Sequence, residues 1–526
     1  MKEYVFLGLM LLFLISCSER KKGVLEIENP EIPVSQLSGK ELAHIHCASC
    51  HLLVPPDSLP KFSWKEDVLP AMAFRLGIYQ GAHQRDSLLA MDNGGERVER
   101  AGVFPDTPMM AKADWDRIVD YYLENAPDEM PSLSYSKEIS MGLPHFKFRE
   151  VAFAQRPPLT TMVKIRSKGR GIVYADGKQH TNNLTFLNSK LEKDYVVGLK
   201  ASTVQYHEKD DALYVTTAGK SIFPNDAAEG SLLRISSTKP GEHFNRSEKV
   251  LDSMQRPVYM AFGDLNNNGL EDIVACEFGN HTGRLVTYIN EGKKGYRKQL
   301  LNSRPGAIKA VIKDMNGDGF NDIMVLMAQG DEGVFYYENH GDGTFLEKRL
   351  LSFMPLFGSQ YMEVVDFNND GLDDILYVCG DNADKTPFLK NYHGIYIFLN
   401  QGDLQFKQAY FYPLNGAYKA LARDFDLDGD LDIAAISFFP DYSGTPEESF
   451  VYLENKGNLE FKDYSFPQAT KGRWIVMDAE DMDGDGDLDL ALGSFVYFTP
   501  AGDTTGLGKK WLTSGPSIII LENTIR

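Results

Sequence analysis

The run His46-Cys47-Ala48-Ser49-Cys50-His51 puts two thiols three residues apart, with an imidazole directly after the second. That spacing suits covalent capture of a haem: each sulfur forms a thioether to one vinyl group, and the imidazole becomes an axial iron ligand. Two other uses of C-x-x-C compete. A dithiol redox site would need a preceding strand in a βαβ unit, and a zinc knuckle a second Cys/His pair downstream; the sequence offers neither. The pattern predicts one covalent haem c on Cys47 and Cys50 with His51 on the iron, while His44 and His46 read as surface residues. The second axial ligand must come from farther along the chain. Met109 and Met110, 58 and 59 residues after His51, rank equally, and Met72 is third.

A second chemistry lies in five nine-residue stretches that share a D-x-[ND]-x-[ND]-G-x-x-D frame. They are Asp264, Asn266, Asn268 and Asp272; Asp314, Asn316, Asp318 and Asp322; Asp366, Asn368, Asp370 and Asp374; Asp424, Asp426, Asp428 and Asp432; and Asp481, Asp483, Asp485 and Asp489. Side-chain oxygens at positions one, three, five and nine, with a turn-forming glycine at six, suit Ca²⁺, which takes six to eight hard oxygen ligands at roughly 2.3–2.6 Å. The sequence thus predicts up to five Ca²⁺. The loops at Asp424 and Asp481, with four carboxylates each, should bind most tightly, and the loop at Asp264 least. A structural role is expected: each ion would neutralise carboxylates that otherwise repel at close range.

These residues need elements to hold them. Successive loops begin 50, 52, 58 and 57 residues apart, close to the period of a four-stranded propeller blade. The runs after the loops (DIVACEF, DIMVLMA, DILYVCG, DIAAISF, DLALGSF) are apolar on both faces, as strands between neighbouring blades must be. Residues 162–187 and 203–235 keep the strand rhythm without the ligand set, so two further blades make seven. The last unit stops one strand short, and residues 146–153 (FKFREVAF) carry the missing aromatic-led pattern; they should pair into the seventh blade and close the ring. Around the haem motif the signal is helical instead: in ADWDRIVDYYL (113–123), Trp115, Ile118, Val119 and Tyr122 recur at helical spacing.

Three resemblances follow from these residues. Residues 1–17 open with Lys2, run apolar from position 4 to 15 and end in Leu-Ile-Ser-Cys17, which resembles a bacterial lipoprotein signal peptide whose lipobox cysteine is acylated. That implies export and a lipid anchor through Cys17, at the outer membrane, the periplasmic face of the envelope or the cell surface. The stretch from about 38 to 127, with its C-x-x-C-H, its Met in a Pro-containing loop and its aromatic-bearing last helix, resembles a class I c-type cytochrome. The loop repeats resemble the FG-GAP or VCBS repeats of integrin-like propellers, although Phe262-Gly263 is not followed by Ala-Pro. The chain reads as multidomain: signal peptide 1–17, tether 18–38, small all-α cytochrome c-like domain 39–127, linker 128–144, and an all-β seven-bladed propeller with calcium loops over 145–526.

Bulk composition narrows the function. A formal charge of −20 at pH 7, from 54 basic against 74 acidic residues, excludes a nucleic-acid partner, which needs a basic footprint. Part of that excess lies in the calcium loops, where bound ions would offset it. No hydrolytic triad or phosphate-binding loop can be picked out by spacing. Tyr259, Lys309, Tyr361 and Lys419 each lie five positions ahead of a loop's first aspartate and should ring the axial opening opposite the loops, with His281, Arg473 and Trp474 on the same face. That rim suits an anionic or sugar-like ligand. If both axial iron positions are filled, the haem can only pass single electrons. The leading expectation is an exported electron carrier whose propeller binds a redox partner protein or a small substrate. One alternative makes the propeller an oxidoreductase or lyase domain acting on a small or sugar-like molecule with the haem as outlet; another makes it a glycan- or protein-binding module with a haem sensor.

Overall fold

The computed structural model describes residues 32–80, 84–133, 138–166, 169–178, 182–239, 242–382, 388–500 and 503–525. The leader with Cys17 and most of the predicted tether lie outside the described residues. Among the described residues no helix is long and apolar enough to cross a membrane.

Helical segments come first among the described residues. Gly39–His46 begins at a capping box: the Ser38 hydroxyl accepts from the Glu41 amide, and the Glu41 carboxylate accepts from the Ser38 amide at 2.8 Å. Residues 61–75 form one helical stretch with a π turn at Trp64–Val68. Asn93–Arg100 is capped by Asp92, which accepts from the Gly94 and Gly95 amides. Lys112–Asn125 is the helix predicted from apolar spacing, and it buries Trp115, Ile118 and Tyr122. The first and last helices cross tightly at Gly39, where an added Cβ would lie 2.0 Å from the Arg117 carbonyl oxygen. No other residue fits there. Around this crossing Leu42, Leu59, Trp64, Leu69, Met110 and Ile118 make one apolar core.

The rest is a propeller of seven sheets, five of them antiparallel in sequential strand order, while the last two each add a strand from ahead of the first blade. Blades one to seven start at Thr160, Thr203, Pro257, Ala307, Ser359, Ala417 and Trp474. Their first strands pack side by side around the axis, and blade seven meets blade one. Every first strand carries a register shift between its first and third residues, for example Pro257/Tyr259 and Trp474/Val476. A bulge at the same place in each blade turns the strand toward the axis. The second strands that follow the aspartate loops, such as Asp272–Glu277 and Asp432–Ser437, are buried along their whole length.

Closure uses the strand just after the linker. Phe146–Glu150 pairs antiparallel with the third strand of blade seven, Phe146 opposite Asn523 and Glu150 opposite Ile519. Phe146 and Phe148 pack onto the core between blades six and seven. One feature escaped the sequence reading: Ser140–Met141, inside the stretch read as linker, pairs in parallel with Tyr464–Ser465 as a fifth strand on blade six. It covers an otherwise open sheet edge.

Candidate functional site

Cys47 caps the first helix, its amide donating to the Ala43 carbonyl at 2.9 Å, so the helix axis aims the motif. Cys47 and Cys50 are free thiols, the first packed against the helical core and the second exposed. Burial pushes the Cys47 thiol up to about 11, with the neighbouring Cys50 adding to it. His51 Nδ1 lies 2.8 Å from the Leu52 carbonyl oxygen. A carbonyl only accepts, so Nδ1 carries the proton and Nε2 keeps its lone pair, which is the tautomer an iron ligand needs. Behind the motif, Tyr122 Oη donates to the Val54 carbonyl and Trp64 Nε1 to the Pro56 carbonyl, pinning residues 52–56 to the helices. These residues fit a covalent haem: two thiols, an oriented imidazole and an apolar wall.

The methionines separate by burial. Met110 is 2% exposed and belongs to the core, Met72 is half-buried beside it, and Met109 is 62% exposed with its amide bonded to the Leu76 carbonyl. Only the Met109 sulfur is free of packing.

The helical unit sits on the propeller face opposite the aspartate loops. Leu356 and Phe388, from connections on that face, pack into the helical core, and the Ala228 amide donates to Asn93 Oδ1. Between them, the Arg75 guanidinium lies 2.9 Å from His281 Nδ1, and Phe104 meets the His281 ring edge-on at 5.2 Å. Arginine only donates, so His281 accepts at Nδ1. Burial and Arg75 hold its pKa below the usual histidine range, against the pull of Asp226. Burial lowers the Arg75 guanidinium from the usual arginine range, with Cys50 and Asp226 pulling the other way. Of the predicted rim residues, His281 alone takes part.

Tyr259, Lys309, Tyr361 and Lys419 do come together. Lys309 Nζ lies 3.9 Å from the Tyr259 ring centre and 4.9 Å from that of Tyr361, and Lys419 Nζ lies 5.1 Å from Tyr361. Their neighbours have a structural task. A first strand exposes unpaired backbone groups to the channel, and side chains from the adjacent blade meet them. Gln205 bonds both the amide and the carbonyl of Met260, Lys419 donates to the Met477 carbonyl, Glu363 accepts from Ala422, and Asp478 from Ile165. Burial, with Lys309 nearby, pushes Lys419 down to about 8.

Arg473 and Trp474 correct the expectation of a shared rim. Trp474 is fully buried between blades six and seven with Nε1 donating to the Ala469 carbonyl at 2.7 Å. Arg473 is buried too, its Nε bonded to the Phe438 carbonyl and its guanidinium 3.7 Å from the Phe438 ring centre. An indole and a guanidinium stem bury more apolar surface in that wall than on an open face. A groove of about 730 Å³ lies elsewhere, lined by Phe62, Met130, Leu133 and Phe388 among others, and no motif residue borders it.

All five aspartate loops share one hydrogen-bond plan. The first aspartate accepts from the amide of the glycine at position six (Gly269, Gly319, Gly371, Gly429 and Gly486), each at positive φ. In the last two loops the carboxylates at positions one, three and five gather: oxygens of Asp424, Asp426 and Asp428, and of Asp481, Asp483 and Asp485, lie within 4.8 Å of one another. Such trios could hold a hard cation. His145 and Glu454 also approach Asp426, but Glu454 is already paired with Lys456 at 2.6 Å.

Position nine has a second duty. Asp272, Asp322, Asp374, Asp432 and Asp489 are buried, and each accepts from the amide at loop position two and from the amide of an asparagine ending the third strand. Those asparagines are Asn290, Asn339, Asn400, Asn455 and Asn523. Their side chains also donate to the carbonyl at loop position eight, for example Asn339 to Asn321 at 2.8 Å. Sequence reasoning passed over them, although each third strand visibly ends in Asn (YIN, YEN, FLN, LEN, LEN).

Comparison with known proteins agrees with this repeat. A family model described as an FG-GAP-like repeat matches residues 314–377 and 424–492. Among solved structures, the N-terminal domain of Nup159 is similar at 10% identity and a TM-score of 0.41, over 74% of this chain and 99% of that one. An S. cerevisiae assembly of Dbp5 with Nup159 and Gle1 matches at 10% identity and 0.39, over 73% and 97%. The chain therefore carries FG-GAP-like repeats within a seven-bladed β-propeller.

Proposed function

We propose that this chain is an exported, lipid-anchored c-type cytochrome that passes single electrons, with a calcium-stabilised propeller as the rigid body on which its haem unit is mounted. The observation that carries the reading is the C-x-x-C-H motif at a helix end with His51 Nδ1 committed to a carbonyl, which leaves Nε2 for iron. Haem bound there would supply one-electron chemistry. Cys47 and Cys50 would hold it covalently, and His51 and Met109, which is 62% exposed, would be its iron ligands. The contacts of Arg75 and Phe104 with His281 would hold the helical unit against the propeller. Cys17 would tether the assembly to an envelope membrane.

The test is a reduced-minus-oxidised spectrum of the full chain produced with a haem-attachment system. A c-type α-band that survives acid–acetone extraction is expected; a colourless protein sinks the reading. A second reading, a propeller that binds a small anionic or sugar-like substrate and hands its electrons to the haem, is favoured by Lys309, for which the described contacts are the ring faces of Tyr259 and Tyr361. Screening sugars and alcohols with an artificial electron acceptor tests it, and uniform inactivity of haem-loaded protein counts against it.

A further inference from the structure

The loop that carries Met109 is tied along one side to the chain just after residues 61–75. Arg85 Nε donates to the Phe104 carbonyl at 2.8 Å and reaches Asp106 at 2.9 Å, Tyr79 Oη donates to the Pro105 carbonyl at 2.7 Å, and the Met109 amide donates to the Leu76 carbonyl at 2.9 Å. The approach is close enough to require Gly77, which sits at φ 72° and where an added Cβ would lie 2.4 Å from the Thr107 carbonyl oxygen. The other side of the loop rests on the propeller. Phe104 is 5% exposed yet is not part of the helical core. The described ring and cation contacts of its side chain are the His281 ring, edge-on at 5.2 Å, and the Arg75 guanidinium at 5.5 Å.

The propeller holds His281 firmly. Its turn joins the second and third strands of blade three, and the Asp226 carboxylate of blade two accepts from the amides on either side of it, Asn280 at 3.2 Å and Thr282 at 2.6 Å. Thr282 Oγ1 also accepts from Gln255 at 2.8 Å, and the Asn280 carbonyl accepts from Gln329 of blade four at 2.6 Å. Three blades thus fix the backbone that presents one ring to Phe104. We propose that His281 is a positioning residue for the haem unit: through Phe104 the propeller seats the loop that carries Met109, so that retention of this iron ligand depends on docking. This rests on the reading of Met109 as an iron ligand. A loop that swings away with Met109 also parts Phe104 from the His281 ring, so the ring pair adds to the cost of losing the ligand.

The experiment titrates the full, haem-loaded ferric chain with imidazole, which must displace Met109 to reach the iron, and follows amide hydrogen exchange over residues 104–110. His281→Ala should bind imidazole about two- to tenfold more tightly than wild type and exchange the loop amides faster. His281→Phe, which restores a ring for Phe104 without an acceptor for Arg75, should bring both readings back. Asn93→Ala removes a contact with the propeller that does not touch the loop, and should change neither. If His281→Ala fails to fold, His281→Gln, which keeps an acceptor for Arg75 but no ring, is read in its place. An imidazole affinity unchanged from wild type in the His281 variant overturns the proposal, as do equal effects of Asn93→Ala. Met109→Ala with an unchanged imidazole affinity overturns the iron-ligand reading instead; the amide exchange, which needs no haem, then decides the seating of the loop by itself.

Discussion

Replacing Glu332 by glutamine should change how stability depends on pH. Glu332 is buried at the junction of blades four and five, where Oε2 accepts from the Ser359 amide at 3.0 Å and from its hydroxyl at 2.6 Å. Burial pushes the carboxyl up to about 7, Asp381 adds to the rise, and the Ser359 bonds oppose it. The folded protein therefore holds this proton between about pH 4.5 and 7 while the unfolded chain has released it. Stability falls as pH rises through that window, by at most about 3 kcal/mol, and is flat above it. Glu332→Gln stays neutral and keeps an acceptor for Ser359, so its advantage over wild type should grow between pH 5 and 8. Guanidinium unfolding of both proteins at several pH values reads this as a difference, in which the distant aspartate loops cancel. A wild-type-minus-variant difference that does not change with pH would refute the reasoning.

Other outcomes follow from the helical unit. Gly39→Val drives a side chain into the Arg117 carbonyl, so it should cost on the order of 3 kcal/mol or more and abolish haem incorporation at growth temperature, read by absorbance of the purified protein. Met109→Ala should change the low-spin haem spectrum at little cost in stability. Met110→Ala should instead lose about 2–5 kcal/mol and leave the spectrum intact; the reverse pattern would reassign the ligand. Arg75→Gln removes a positive charge beside Cys50 and should lower the haem midpoint potential by on the order of tens of millivolts in a potentiometric titration. Trp474→Phe removes one of two hydrogen bonds to the Ala469 carbonyl, which keeps the one from the Ser449 hydroxyl, and should cost about 0.5–1.5 kcal/mol by thermal unfolding, with no effect on the haem.

What the sequence determined by itself was whatever is written in local repeats. The loop frame, its 50- to 58-residue period and the doubly apolar strands yield seven blades, and the aromatic-led run at 146–153 identifies the closing strand, because strand period and turn chemistry are properties of short stretches. The row of Tyr259, Lys309, Tyr361 and Lys419 was legible for the same reason, since equal offsets in a repeat map to equal places around an axis. Only the tertiary structure decided the rest. Trp474 has the composition of a rim residue, but the junction of blades six and seven takes it inside. Ser140–Met141 carries too little pattern to announce a strand and becomes one because blade six leaves an edge open. Asp487 reads as one more loop aspartate until packing removes its water and supplies no donor. The helical unit's seat over the face opposite the loops, with Arg75 against His281 some two hundred residues away, is encoded in no local pattern. Burial and partnership depend on what the remainder of the chain brings alongside, and that appears only once the ring has closed.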